Sequence, residues 1–509
     1  MKDSTLNNKR IAKNTLLLYC RMLFLMAVSL YTSRVVLNAL GVEDFGIYNV
    51  VGGIVAMFTV LSGSLSAAIS RFITYELGKG DQSNLNKIFS SAVTIQLSLA
   101  GIIILLAETI GLWFLNVKMN IPEIRMEAAN WVFQFSILTF AINLISVPYN
   151  ASIIAHEKMS AFAYISILEA VGKLTIAYLI TISPMDKLIF YAILMCVVAL
   201  LIRFTYANYC KRHFSECSYH PTWDKQLLKQ MFGFAGWNFI GASSAILRDQ
   251  GGNILINLFA GPTVNAARGI AFQVYHAVQS FVSNFMIALN PQITKSYASK
   301  DYSYMMLLIH QGARLSFYIL LLLSLPILIN TSFILNLWLK DVPDYTVLFV
   351  QLTLVFAMSE SLSNPLITAQ LATGNIRNYQ IIVGGIQMLN LPISYLFLHF
   401  KFTPAIVFII AIFISQCCLG ARLYMMRKMI KLNAKTFLRD VYANTVLVAL
   451  LSFLISFFIT SLLTESSFTN FILSSIITFS ITLFIEIFIG CSTNERIKII
   501  QYIKKKLGK

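Results

Sequence analysis

Residues 88–115 read IFSSAVTIQLSLAGIIILLAETIGLWFL, and Glu108 is the only charge in the run. A helix rises 1.5 Å per residue, so about 20 apolar residues cross the ~30 Å hydrocarbon core of a bilayer. This stretch is long enough, and it is one of many. Comparable runs cover 14–40, 45–71, 130–155, 161–182 and 188–209. Beyond a basic break they resume at 231–259, 264–297, 307–337, 346–372, 379–400, 404–426, 442–463 and 468–490. The pattern predicts an all-α integral membrane protein with fourteen transmembrane helices. Composition excludes the other classes. Apolar residues make up 57% of the 509 and charged residues 12%, with a mean hydropathy of +0.72. A soluble domain carries about 25% charged residues and could not cover its surface with so few.

The net charge of +17 has the size of a nucleic-acid signal, but its distribution is that of a membrane topology. With the N-terminus inside, the breaks on that side hold 27 Lys and Arg against six on the other, Arg268 included among the six. The inner set includes Lys158, Lys211, Arg212, Lys295 and the run Arg422, Arg427, Lys428, Lys431, Lys435 and Arg439. Positive residues stay inside, so both termini are expected in the cytoplasm. No nucleic-acid partner is implied. The first run has no A-x-A-like cleavage site after it and is expected to be a retained span. The seven cysteines are scattered and imply no disulfide framework. Cys210, His213, Cys217 and His220 superficially resemble a zinc site, but the spacing fits no common finger, and no metal is expected.

The chain repeats itself. Leu40-Gly41 before the second span matches Ala260-Gly261 before the eighth, and in that register of 220 residues Ile73-Thr74 meets Ile293-Thr294. Ser146-x-Pro148 in the fourth span meets Ser363-x-Pro365 in the tenth with a slip of three. Six spans separate the copies, so both have the same orientation. Transporters built this way place substrate between the halves. The expected division is 1–210 for the first lobe, 211–230 for a cytoplasmic linker, 231–430 for the second lobe, and 431–509 for two further spans and a basic tail.

The stretch Thr32-Ser33-Arg34 through Leu40-Gly41-Val42-Glu43-Asp44-Phe45-Gly46-Ile47-Tyr48, with Arg71-Phe72 closing the second span and the paired prolines, resembles Wzx-type polysaccharide flippases. These belong to the MOP superfamily, with the MATE exporters and the lipid II flippase. The resemblance implies a V-shaped bundle of two pseudo-symmetric six-helix lobes plus two C-terminal helices, with spans 1, 2, 7 and 8 lining a central cavity. It implies flipping of an undecaprenyl-diphosphate-linked oligosaccharide across the bacterial inner membrane, as in O-antigen, lipopolysaccharide or capsule synthesis. Partners implied are that lipid-linked substrate, membrane lipids, and polysaccharide polymerase and chain-length machinery. No cofactor is implied.

Charges inside spans are costly and mark function by default. The cations are Arg21, Arg34, Lys173, Arg248, Arg268 and Arg314; the anions are Glu108, Glu169, Asp249, Glu360 and Glu486. In the helices that the resemblance makes cavity-lining, Arg21, Arg34, Arg248 and Arg268 stand against Asp249 alone. Such a basic cavity suits a diphosphate, because a guanidinium fork donates two parallel hydrogen bonds to phosphate oxygens. Arg34 and Arg268 can equally snorkel to the outer interface. Asn14, Arg21 and Thr32 share one helical face; Arg268, Tyr275 and Gln279 share another, with His276 on a neighbouring one. These polar stripes face either a cavity or another helix, because lipid cannot satisfy them. Asn49, Gly52, Ala56, Thr59, Gly63, Ser66 and Ser70 form a stripe of small residues suited to close helix packing. Glu169 and Lys173, four apart, are placed for an intrahelical ion pair. Glu169, Asp249 and Glu360 are the candidates for ion coupling. Two other readings remain: a MATE-like small-molecule or multidrug exporter, and a polytopic polysaccharide polymerase or ligase. The second needs an extracytoplasmic catalytic domain, which the outer breaks are too short to supply. No catalytic residues are assigned, and the chain is expected not to be an enzyme.

Overall fold

A computed structural model describes residues 2–56, 59–119, 121–221, 224–339, 342–462, 467–493 and 495–497. The chain is helical nearly throughout. Among the described residues, eleven helices are long and apolar enough to cross a membrane, from Arg10–Gly41 to Phe468–Gly490. The expected second, seventh and eighth spans are helical as well, in 42–56 with 59–79 and in Lys225–Ala298, but do not meet that test. The count of fourteen is therefore not reproduced by apolarity alone. The seventh and eighth carry Arg248, Asp249, Asn265, Arg268, Gln273 and Gln279. Polar spans of this kind need partners other than lipid.

Two glycines set the local plan. The helix Lys2–Ala56 is broken at Gly41 (φ 82°, ψ 169°), and Lys225–Ala298 at Gly261 (φ 82°, ψ 177°). This backbone region is essentially reserved for glycine, because a Cβ would clash with the chain itself. The two positions paired by the register of 220 thus have the same break. The paired prolines differ: Pro148 sits inside the continuous helix Glu123–Ala155, whereas the tenth span leaves the helix after Ser361 and restarts at Asn364–Thr373 with Pro365 in its first turn. A proline lacks the amide hydrogen, so an opening turn accepts it without loss.

The chain divides into two compact units, 1–242 with 294–301, and 243–293 with 302–509. In the first unit, Glu123–Ala155 packs against Lys187–His213, against Gln82–Leu106 and against 59–79. Its core gathers Ile47, Leu115, Val132, Phe133, Ile137 and Leu188. Gly78 lies where a Cβ would stand 2.9 Å from the Lys295 backbone, so the helix ending at Lys79 touches the 295–298 turn directly. Of the small-residue stripe, the side chains of Asn49, Gly52, Ala56 and Thr59 lie outside the described residues. In the second unit, Tyr302–Ile329 packs on Thr346–Ser361 and on the last two spans, Asn444–Ser461 and Phe468–Ile485. The basic tail from 498 onward lies outside the described residues.

Candidate functional site

The first unit contains a cavity of about 390 Å³ lined by Arg21, Ser29, Thr32, Phe45, Tyr48, Ser166, Glu169, Lys173 and Tyr191, with smaller apolar side chains between them. That volume falls within the about 300–1,000 Å³ of small-molecule sites. The Arg21 guanidinium lies 4.3 Å from the Phe162 ring centroid, and its Nε is buried with no hydrogen-bond partner. Lys173 Nζ donates to Glu169 Oε1 at 2.6 Å, so this pair cancels its own charge. The cavity therefore keeps the charge of Arg21. Tyr48 and Tyr191 meet edge to face at 4.7 Å on another wall.

The second unit holds its arginines differently. Arg248 Nε donates to Asp249 Oδ1 at 2.9 Å, and its Nη1 lies 3.7 Å from Glu360 Oε2. Arg268 Nη2 donates to the Asp249 carbonyl at 2.6 Å, and its guanidinium covers the Phe272 ring at 4.0 Å. Arg422, counted from sequence among the cytoplasmic basic residues, is instead 2% exposed; it donates from Nε to Tyr379 Oη at 2.8 Å and from Nη1 to Ser363 Oγ at 2.9 Å. Ser363 opens the broken turn of the tenth span, so Arg422 satisfies a hydroxyl at the break.

Ionic junctions tie down the span ends of the first unit. Arg125 grips Asp44 (Nε–Oδ1 2.8 Å) and Asp186 (Nη1–Oδ2 2.6 Å), joining three segments. Burial raises the Asp186 carboxyl, but Arg125 and the Ile189 and Leu188 amides outweigh it and hold it below the ordinary value. Glu157, whose side chain is 1% exposed, takes Arg10 at 2.8 Å and Lys295 at 2.7 Å. Its neighbour His156 contacts Glu216 at 2.5 Å and stacks on Phe214 at 4.0 Å. Burial raises the Glu216 carboxyl, but His156, the Glu216 backbone amide and Gln82 together outweigh it and leave it below the usual carboxylate range.

Against this geometry, residues 11–297 match the family model described as polysaccharide biosynthesis protein. The chain belongs to the polysaccharide biosynthesis protein family. A relative is the uncharacterized membrane protein EpsK of Bacillus subtilis, 19% identical over 312 residues; the match spans 60% of this chain and 60% of that protein. Solved structures show the same fold. A MATE protein in its straight conformation has a TM-score of 0.71 at 13% identity, covering 84% of this chain and 96% of its own. A MOP superfamily transporter from Pyrococcus furiosus, described as having a binding pocket of reversed polarity, has a TM-score of 0.68 at 13% identity, covering 85% and 98%. The bent form of the Vibrio cholerae MATE transporter VcmN gives 0.68 at 15% identity, covering 85% and 98%. The resemblance read from the opening stretch is therefore borne out, and this family member is a multi-pass membrane protein with the MATE fold.

The motif residues of this polysaccharide biosynthesis protein have separate tasks. Gly41 breaks the helix, Asp44 pairs with Arg125, and Phe45 and Tyr48 wall the cavity. Of the residues singled out from sequence, Arg21, Thr32, Glu169 and Lys173 meet in that cavity. Asn14 shares a helical face with Arg21 but lies beside Glu157, its Nδ2 3.5 Å from the Glu157 carbonyl. Arg34 is exposed. Arg248, Asp249, Arg268 and Glu360 come together in the second unit, with Tyr275 6.0 Å ring to ring from Phe356. His276 is exposed, and Gln279 keeps a buried, unpartnered Oε1. Phe162, Tyr191, Arg422 and the Glu157 junction were not singled out. Only Glu157, an acid in a break otherwise read as basic, offered a sequence signal. Among the described residues no three His, Cys, Asp or Glu gather to hold a metal, and His213 Nδ1 instead meets the Tyr209 carbonyl at 2.9 Å.

Proposed function

We propose that the protein is a flippase moving undecaprenyl-diphosphate-linked oligosaccharide repeat units across the bacterial inner membrane for surface polysaccharide synthesis, with both termini cytoplasmic. The observation that carries this reading is Arg21 in the first unit's cavity: a half-buried guanidinium with a buried, unpartnered Nε and no directly bonded carboxylate. A partly desolvated cation with a spare donor favours a phosphate or other oxyanion ligand. Tyr48 and Tyr191 offer faces and hydroxyls for a sugar beside it. Family membership supports a polysaccharide precursor as cargo. The fold by itself supports equally a small-molecule exporter; the sign of the charge at Arg21 argues against one for drug cations.

The reading is tested in proteoliposomes holding a short-chain lipid-linked oligosaccharide, with transbilayer movement read by access of a glycosidase added outside. Movement that requires the protein and is lost in Arg21→Ala supports the proposal. Transport of a cationic dye with no movement of the lipid-linked sugar overturns it in favour of the exporter.

A further inference from the structure

Three in-span carboxylates were candidates for ion coupling, and each stands beside a cation: Glu169 with Lys173, Asp249 and Glu360 with Arg248. Each of the three is thus held in an ion pair, and none is a lone acid. Glu108 accepts from Gln134 Nε2 at 3.1 Å. Glu486 is different. It is 6% exposed in the fourteenth span, its Oε1 is buried without a partner, and among the described residues its side chain forms neither an ion pair nor a hydrogen bond.

An isolated ionised carboxylate in the membrane interior is too costly to persist, so the group must be neutralised by a proton or a bound cation. The surroundings decide which. Glu486 begins a π-helical turn, Glu486–Gly490, at the interface of three mutually packed helices, Tyr302–Ile329, Asn444–Ser461 and Phe468–Ile485. Such turns recur at functional sites because they leave backbone groups loosely engaged. From the ninth span Tyr318 faces Glu486, but its hydroxyl donates to Asn444 Oδ1 at 2.5 Å. Of the cations of that region, Arg314 is bound by both oxygens of Glu495 at 2.7 and 2.9 Å, and Arg496 donates from Nη2 to the Phe488 and Cys491 carbonyls. Cys491 is the remaining titratable neighbour on its own helix; Asp440 on the thirteenth is taken by Arg439. The neighbouring side chains that could lend Glu486 a compensating charge are thus committed elsewhere, and a proton, unlike a metal cation, neutralises it without a cage of oxygen ligands.

The same interface is polar along its length. On the fourteenth span Ser474, Thr478, Thr482 and Glu486 recur every fourth residue and all are buried. Ser452 and Ser456 of the thirteenth span are fully buried too, and their hydroxyls, with that of Thr478, have no partner. At the far end Asn330 and Ser474 bond to each other at 3.2 Å. Twelve residues of helix separate Ser474 from Glu486, about 18 Å. Small hydroxylated residues do serve close packing, but packing gives no reason for an acid at the end of the row.

We propose that Glu486 carries an exchangeable proton, and that the hydroxyl-lined seam between the ninth, thirteenth and fourteenth spans is the path by which it is loaded or released. Proton exchange at this site is independent of the cargo; its coupling to transport rests on the transporter reading above.

The test has two arms. Infrared difference spectra of the full-length protein in lipid nanodiscs are recorded across a pH titration, with and without sodium chloride. The expected result is a protonated-carboxyl carbonyl band that titrates, is absent in Glu486→Gln and ignores sodium. Absence of such a band, or its displacement by sodium, overturns the proton assignment. In the second arm Glu486→Gln and Glu486→Asp are expressed in cells lacking the chromosomal copy. Loss of surface polysaccharide in the Gln variant at normal protein level, with partial retention in the Asp variant, is expected. A Gln variant as active as the wild type reduces Glu486 to a structural acid and overturns the coupling. If the wild type itself moves no lipid-linked sugar, the cargo reading fails while the infrared arm still decides the site.

Discussion

The two units share a backbone device and differ in what they do with their arginines. Gly41 and Gly261 have the same φ of 82° at positions 220 residues apart. Yet the first unit keeps Arg21 at the wall of an open cavity with a donor to spare, while the second threads Arg248, Arg268 and Arg422 onto two carboxylates, a carbonyl and two hydroxyls. A duplicated backbone has thus been given two electrostatic uses. The unpaired guanidinium is suited to a ligand that comes and goes; the paired ones hold helices together.

That contrast breaks most easily at Arg21. Arg21→Ala should abolish surface polysaccharide while leaving the protein at wild-type level, and Arg21→Lys should restore only part, because a point charge lacks the planar fork. Full complementation by the Ala variant removes the cavity from the function. Arg248→Ala should act on stability first. Stripping one partner from a fully buried pair costs about 3–5 kcal/mol. A smaller loss is expected here, because the Asp249 side chain is 35% exposed; it is read as a lowered unfolding midpoint in detergent and a lowered amount in the membrane. An Arg248→Ala protein of unchanged midpoint that no longer transports would move Arg248 from the holding group to the ligand group.

The glycines sharpen the shared half of the comparison. Alanine at 41 or 261 must adopt a backbone region that side chains avoid, at about 1–3 kcal/mol each. Equal losses at the two positions are expected from their equal dihedrals, and a loss at one alone would show that only one break is under constraint. The smallest effect concerns pH. Glu216 is held below its unfolded value near 4.5, so its contribution is present above that pH and is lost as pH falls through the lower folded value. Glu216→Gln should therefore flatten the acid limb of the melting curve. The difference at neutral pH is expected to be about 2–4 °C, a contribution near 1 kcal/mol in a unit of this size. An unchanged acid limb would assign it to Asp186 or other carboxylates.

Much of this architecture was written in the sequence, since span length and glycine register are local properties. Apolar runs gave the helices, and the pairing of Leu40-Gly41 with Ala260-Gly261 located both breaks. A strict apolarity test misses the second, seventh and eighth helices although all three form where the runs placed them, and the seventh and eighth carry charges that protein groups satisfy. The site was legible only in part. Glu169 and Lys173 are four residues apart and announce each other, but Glu360 reaches Arg248 from three spans away, and no spacing rule links them. Counting cavity charges by helix set four arginines against Asp249 alone, and Glu360 on the tenth span upset that balance. Arg422 looked like one more basic residue of a loop because its partners, Tyr379 and Ser363, come from two other helices.

The Glu157 junction has a consequence for timing during synthesis. Residues 294–301 belong to the first unit but follow residues 243–293 of the second in the chain. At about 5–20 residues per second, Lys295 is made some 3–10 s after Ala242. Through that interval the Glu157 carboxylate has Arg10 for a partner but not Lys295. The first unit is therefore begun, left open while the seventh and eighth helices are threaded, and closed only when the end of the eighth arrives. A ribosome stalled between residues 242 and 294 would display an unfinished first unit, open to the quality-control proteases of the membrane in a way the completed chain is not.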